Sequence, residues 1–290
     1  MQGIKNRVKL LHESIDSIDL MKDSDWKIGL NERKIKELEF HDRDRQGQDS
    51  SNQINKSNEG DTYEKFYGNK KYYDVVDRSS SYVKNWIKTE AKDNIFLDYA
   101  CGNGNNARVA SIAGAALSVG FDISGVSVEN ATRFAQDEGL KNIRFFQADA
   151  ENTKLPNDSV DRVICSGMLH HLDLSYALPE LRRIMKPGGK LLAVEALDYN
   201  PVIKLYRMLT PEMRTDWEKA HILSLADVKF SQRFFDLGCI KYWHVVGYAA
   251  GKFPFLKKPL SLIDQLLEKI PYIQRMSWMF TFELIKPYEK

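Results

Sequence analysis

The run Phe96-Leu97-Asp98-Tyr99-Ala100-Cys101-Gly102-Asn103-Gly104 constrains this chain more than any other stretch. Strand-type apolar residues end in an acid and turn through two glycines. Glycine is needed where a backbone must take positive φ or lie against a ligand. Strand, glycine loop and helix in that order describe a turn that holds a nucleotide-type cofactor.

Further apolar runs with strand character lie at 95–100, 115–123, 143–148, 160–165 and 190–196, separated by segments long enough for crossover helices. Such alternation calls for a parallel sheet covered on both faces. Between the second and third runs, Ser124 is placed to cap a helix that repeats Val128, Ala131 and Ala135 at helical spacing before Gly139 ends it. Lys186-Pro187-Gly188-Gly189-Lys190 reads as a helix-stopping turn before the fifth strand. After 196 the pattern changes to a Pro-punctuated helical stretch over 201–230, a strand near 240–246, a helical insert near 259–270 and a last strand near 280–285. The two late strands are expected to pair antiparallel at the sheet edge.

The N-terminal third reads differently. Residues 1–40 carry a loosely helical apolar pattern (Val8, Leu10, Leu11, Ile15, Ile18, Leu20), whereas 41–62 is nearly devoid of apolar side chains and is expected to be a linker or loop. This divides the chain into a helical extension with a polar linker, 1–62, and a main domain, 63–290, with cap insertions at about 200–230 and 251–277. The aromatics Tyr63, Phe66, Tyr67, Tyr72, Tyr73, Tyr82 and Trp86 are expected to pack beside the first strand.

Net charge is only +2 over 290 residues, with bases dispersed among acids, so no one-sided basic stripe for nucleic acid is present and a small-molecule partner is expected. Cys101, Cys165 and Cys239 lie far apart in apolar contexts without metal-ligand spacing; they read as reduced, buried small hydrophobes, and no metal is expected. The charged N-terminus and the absence of a run of about 18 apolar residues lead to the expectation of a cytoplasmic protein.

Gly102-x-Gly104-x-x-Ala107 matches a loose dinucleotide fingerprint, and Asp122, 20 residues after Gly102 at the end of the second strand, is placed to accept ribose hydroxyls. Asp98, at the end of the first strand, suits a cofactor carrying an ammonium and a sulfonium and would repel a pyrophosphate. The third strand ends Gln147-Ala148-Asp149-Ala150, where an acid and an adjacent amide can hydrogen-bond an adenine edge.

With these residues assembled, 95–196 resembles the class I S-adenosylmethionine-dependent methyltransferases, in particular the ubiquinone/menaquinone-type small-molecule group. The resemblance implies a Rossmann-like, doubly wound, mostly parallel seven-strand α/β sheet with an antiparallel edge strand and helical cap insertions. It also implies S-adenosyl-L-methionine as cofactor, with Asp98, Ala100, Cys101, Gly102 and Gly104 at the methionine end. Asp122 and Ile123 would meet the ribose and adenine, and Ala148, Asp149 and Ala150 the adenine edge. Ser166, His170 and His171 follow the fourth strand, where that family faces the transferable methyl. Ala100 stands where the family most often has glycine.

His171, and with less reason His170, is a candidate to take a proton from the acceptor; the alternative is that either packs or holds loop backbone. Methyl transfer also proceeds without a base, by positioning alone. Glu195, Asp198, Tyr199 and His221 are further candidates for touching the acceptor, or surface and capping residues. In the late insert, Leu260, Ile263, Leu267 and Ile270 share one helix face, widened by Leu262 and Leu266. That face is expected to pack against the sheet edge and the helix near Leu205–Leu209. The sharper alternative has it line an acceptor tunnel or touch a membrane surface, favoured by Lys252, Lys257 and Lys258 beside it. A small-molecule or lipid-like acceptor follows as the expectation. An NAD(P)-dependent oxidoreductase and a non-catalytic binding module remain as alternatives.

Overall fold

The computed structural model describes residues 2–21, 23–46 and 75–288. Seven strands form one sheet: β1 (Ile95–Tyr99), β2 (Leu117–Asp122), β3 (Ile143–Gln147), β4 (Val160–Ser166), β5 (Met185–Ala196), β6 (Asp236–Trp243) and β7 (Met279–Ile285). Their order is β3-β2-β1-β4-β5-β7-β6. β1 to β5 pair in parallel, and β7 runs antiparallel to both β5 and the outermost β6. The chain therefore winds outward in both directions from β1, and the switch between β1 and β4 opens a crevice at the strands' carboxyl ends.

The central strand shows why the sequence folds this way. All five residues of β1 are buried, as a parallel strand covered on both faces requires. Phe96 faces a cluster with Val83, Trp86, Ile87 and Ala91 of the helix Asp77–Ala91 (α4), with Ala110 of the helix Asn105–Ile112 (α5) beside them. Its neighbours Leu97 and Tyr99 face the other core, shared with Leu178, Leu181 and Ile184 of the helix Leu174–Ile184 (α7). That second core also takes Leu11 and Ile15 of the N-terminal helix Gln2–Asp19 (α1), both without exposed surface. The helix Gly125–Asp137 (α6) forms as its sequence dictates: Ser124 Oγ accepts from Ser127 N (3.0 Å), and Gly139 leaves the helix at φ +68°.

Several expectations are corrected. The helix Glu32–Arg45 (α3), which follows the short helix Asp23–Lys27 (α2), runs through 41–45, where the sequence pointed to a linker. Asn31 caps it by accepting from Lys34 N (3.0 Å), and burial of Glu37, Leu38 and His41 carries it past the last apolar repeat. Of the polar stretch, 47–62 lies outside the described residues, as do Tyr63, Phe66, Tyr67, Tyr72 and Tyr73. Cys239 is exposed on the outer strand β6, while Cys165 is buried and Cys101 half-buried. The segment 186–189 is not a turn ahead of β5 but a bulge inside it, between Met185, paired with Val160, and Lys190, paired with Arg162. Gly188 sits there at φ +72° and donates to the Lys286 carbonyl (2.8 Å).

In the late helix, Lys257–Leu267 (α11), Leu260 and Leu267 of the face expected to pack are half-buried, while Ile263 and, just beyond the helix, Ile270 are exposed. Asp264 is the helix's one buried residue, and its carboxylate accepts from Val246 N (2.8 Å) and Gly247 N (3.1 Å). Just beyond it, Glu268 accepts from His244 N (2.8 Å) and pairs with Arg78 (2.6 Å). These acids satisfy backbone N–H groups and a guanidinium that would otherwise be unpaired, so Asp264 and Glu268 turn inward beside the half-buried Leu260 and Leu267, while Leu262, Ile263, Leu266 and Ile270 are exposed. The helix Pro201–Leu209 (α8) buries none of its residues fully and leaves Val202, Leu205, Met208 and Leu209 exposed. The helices Asp216–Ala220 (α9) and Leu225–Ser231 (α10) complete the segment between β5 and β6.

Candidate cofactor and acceptor site

The carboxyl ends of β1 and β2 meet at the glycine turn. Gly102 (φ +51°) donates its N–H to Asp122 Oδ2 (2.8 Å), and Ser124 donates to Asp122 Oδ1 (2.9 Å), so one carboxylate holds the turn and the start of α6. Each oxygen keeps acceptor capacity for a hydroxyl. Gly104 (φ +73°) caps α5; a Cβ there would lie 2.5 Å from the Phe145 ring and 2.9 Å from Ala131 Cβ. This glycine thus lets the loop lie flat on the β3 and α6 side chains. Ala100 also adopts positive φ, +57°, which explains why a glycine is usual there and shows that alanine bears backbone strain at this point. Cys101 directs its thiol to the Gly102 carbonyl, and burial pushes the thiol well above its ordinary pKa, which favours the protonated form.

Asp98 is 1% exposed and accepts from Ala107 N (3.0 Å). Burial pushes its pKa up to about 7, against the opposing N–H donors of Ala107 and Asn106. Among the described residues no ion pair reaches it. A buried carboxylate without a counter-charge, beside a glycine turn, fits a cationic ligand and disfavours an anionic one.

Ala100, Ile123, Asp149, Ala150 and His171 come together to line one narrow cleft. Asp149 Oδ1 accepts from Glu151 N (2.9 Å), and the Ile123 carbonyl accepts from Gln147 Nε2 (2.8 Å). Ala148 and Asp149 also line an adjoining cavity of ≈ 290 Å³ beneath Met21, Trp26 and Leu30. Ser166 ends β4 exposed and is not among the residues lining the cleft.

The opposite wall is α3, whose place here no local sequence signal indicates. Lys34 Nζ lies 2.6 Å from Asp149 Oδ2 and 2.9 Å from Glu151 Oε2, and Arg33 pairs with Glu151 while donating to the His171 carbonyl (2.7 Å). Asp42 accepts from Ser124 Oγ (2.6 Å), and the Arg45 guanidinium lies over Gly102, 3.4 Å from where a Cβ would be. Glu37 Oε2 meets His171 Nδ1 at 3.0 Å, and its Oε1 accepts from Thr215 Oγ1 (2.6 Å). Burial would raise the Glu37 pKa, but the imidazoles of His171 and His41 and the Thr215 hydroxyl outweigh it and hold the carboxyl well below its usual range. An ionised Glu37 fixes the proton of His171 on Nδ1 and leaves Nε2 as the acceptor.

The other candidates fall into supporting places. His170 Nδ1 meets Glu195 Oε2 at 2.6 Å, and Glu195, wholly buried, also accepts from Met168 N and Leu169 N, so this pair holds the loop after β4. Asp198 pairs with Lys204 (3.1 Å), Tyr199 accepts from Leu225 N (3.2 Å), and His221 stacks on Trp217. Two groupings, Glu37–His41–His171 and His170–His171–Glu218, each bring three donor atoms within 4.8 Å of one another and have the chemistry to hold a divalent ion.

A Rossmann-like sheet with a glycine turn, acids at its strand ends and a roofing helix is the arrangement of a nucleotide-type cofactor site. Residues 97–193 match the family model described as a methyltransferase domain. Over 100 residues the chain is 36% identical to the uncharacterized methyltransferase YcgJ of Bacillus subtilis, covering 34% of this chain and 39% of that protein. It is 34% identical over 103 residues to the ubiquinone/menaquinone biosynthesis C-methyltransferase UbiE of Coxiella burnetii, covering 34% of this chain and 41% of that one. The chain thus spans about two fifths of the length of these relatives. Among solved structures, YcgJ superimposes with a TM-score of 0.50 at 22% identity, over 72% of this chain and all of that one. The [4+2]-cyclase SpnF superimposes with 0.53 at 18% identity, over 73% and 83%. These likenesses are of fold.

Proposed function

We propose that the protein transfers a methyl group from S-adenosylmethionine to an apolar or lipid-like acceptor. The observation that carries the reading is Asp98, a fully buried carboxylate with no ion pair among the described residues, set behind the glycine turn. The cofactor's ammonium and sulfonium supply the missing positive charge; the pyrophosphate of a nicotinamide dinucleotide would add a repulsion there. In this reading Asp122 accepts the ribose hydroxyls while its other lone pairs stay on Gly102 N and Ser124 N. Asp149 and the backbone at Ala150 meet the adenine edge, and α3 closes the cleft against water.

When bound, the cofactor supplies an already activated methyl, so the chain's main task is to hold the acceptor in line with it. His171 stands at the cleft wall, oriented by Glu37, and takes the acceptor's proton at Nε2 where the acceptor has one to lose. The apolar acceptor class is supported by the names of relatives such as the ubiquinone/menaquinone biosynthesis C-methyltransferase UbiE. The test is methyl transfer from labelled cofactor to a panel of quinols, sterols, phenols and sugar nucleotides. Transfer to apolar members, falling by about 100-fold in His171→Ala with cofactor affinity kept, supports the reading. Cofactor binding without transfer to any of them supports a binding module instead.

A further inference from the structure

A large apolar surface remains outside the cleft. Phe253, Phe255, Leu262, Ile263, Leu266 and Ile270 are between 43% and 78% exposed, and they fall within 18 residues of one another on α11 and its flanks. Scattered apolar side chains at a surface are ordinary, but several clustered on and around one short helix mark an interaction site. Its charge is sorted as well. Asp264 and Glu268 point inward onto backbone N–H groups and Arg78. Lys252, Lys258 and Lys269 are exposed, and none pairs with a carboxylate among the described residues; Lys257 pairs with Asp77 (2.7 Å). A second apolar stripe, Val202, Leu205, Met208 and Leu209 of α8, begins beside the same segment, where Asn200 Nδ2 donates to the Met276 carbonyl (2.6 Å).

We infer that α11 and its flanking residues form a docking surface for an anionic lipid bilayer, lying in the headgroup plane with Leu262 and Leu266 inserted and the lysines on phosphate. Inward acids with outward bases and apolar residues are what such a surface needs. Exposed leucines and isoleucines with Lys252, Lys258 and Lys269 among them match the apolar interior and anionic headgroups of a bilayer together. No helix among the described residues is long and apolar enough to cross a membrane, so this contact is peripheral. The inference does not rest on methyl transfer, and vesicle binding tests it without cofactor or acceptor.

The experiment is co-sedimentation of the full chain with vesicles of phosphatidylcholine alone and of phosphatidylcholine mixed with phosphatidylglycerol, at low and high salt. Binding to the mixed vesicles, weakened by salt and weak on phosphatidylcholine, is the expected result. Lys258→Glu/Lys269→Glu should lower partitioning by at least about 25-fold, about fivefold for each positive charge removed. Leu262→Glu/Leu266→Glu should abolish it, with unchanged thermal unfolding because both positions are exposed. No binding to mixed vesicles, equal binding to both lipids, or binding indifferent to these substitutions overturns the inference. So does a dimer in light scattering that Leu262→Glu/Leu266→Glu dissociates, which would assign the face to a second copy.

Discussion

Asp98→Asn separates what this residue costs the fold from what it gives the cofactor. The carboxyl is raised from 3.8 to about 7 because burial penalises its charged form. Each pH unit between those values costs about 1.36 kcal/mol, so holding Asp98 ionised costs on the order of 4 kcal/mol. The sign follows from proton counts. Between about pH 4 and 7 the native chain keeps a proton on Asp98 that the unfolded chain has lost, so this group's contribution to stability falls as pH rises and levels off above about 7. Asparagine is nearly isosteric, still accepts from Ala107 N through its carbonyl, and does not ionise. The variant should therefore be more stable than the parent by up to about 4 kcal/mol near pH 8 and close to it near pH 4, without cofactor. Its affinity for S-adenosylhomocysteine, whose ammonium the proposed function sets against the parent carboxylate, should fall by about 1.5 to 3 kcal/mol. Parent affinity should weaken up to about tenfold per unit below about pH 7, and variant affinity should not. Urea unfolding across pH and calorimetric titration read both effects. A variant less stable than its parent at pH 8, or one with an unchanged pH slope relative to the parent, would refute the reasoning.

Other expectations follow from the same turn and core. Ala100→Gly removes an alanine from φ +57° and should stabilise the fold by about 0.5 to 1 kcal/mol, after the greater unfolded-state freedom of glycine is subtracted; urea unfolding checks it. Gly104→Ala meets the Phe145 ring and keeps a positive φ, so a loss of about 2 to 4 kcal/mol with weakened cofactor binding is expected by the same measurement and titration. Leu11→Ala should cost about 2 to 5 kcal/mol, because α1 supplies part of the main core; a loss under about 1 kcal/mol would detach α1 from it.

The sheet and its glycine turn were legible because period, caps and glycines are local signals. β1 and β3 lie within a residue of their apolar runs, and Ser124 caps α6 as its place in the sequence predicts. What could not be read is long-range. Lys34, Glu37, Asp42 and Arg45 reach the site from α3 across about a hundred residues of chain, and only the helical pairing of Glu37 with His41 one turn on hinted that the polar run began as a helix. The seating of α11 is hidden in the sequence for a related reason. An amphipathic pattern names two faces, and which one turns inward was decided by backbone N–H groups at Val246 and Gly247 that needed Asp264.

In the proposed function, the glycine turn and the strand-end acids Asp98 and Asp122 form a site for S-adenosylmethionine. Unfolding with S-adenosylhomocysteine or NAD in parallel tests it most directly. At about 100 times its dissociation constant, S-adenosylhomocysteine should stabilise the chain by about 2.7 kcal/mol. NAD should give no shift, and Asp122→Ala should lose about 1.5 to 3 kcal/mol of the homocysteine cofactor's binding. Stabilisation by NAD with none by S-adenosylhomocysteine, or an Asp122→Ala variant that binds as its parent does, would contradict the account.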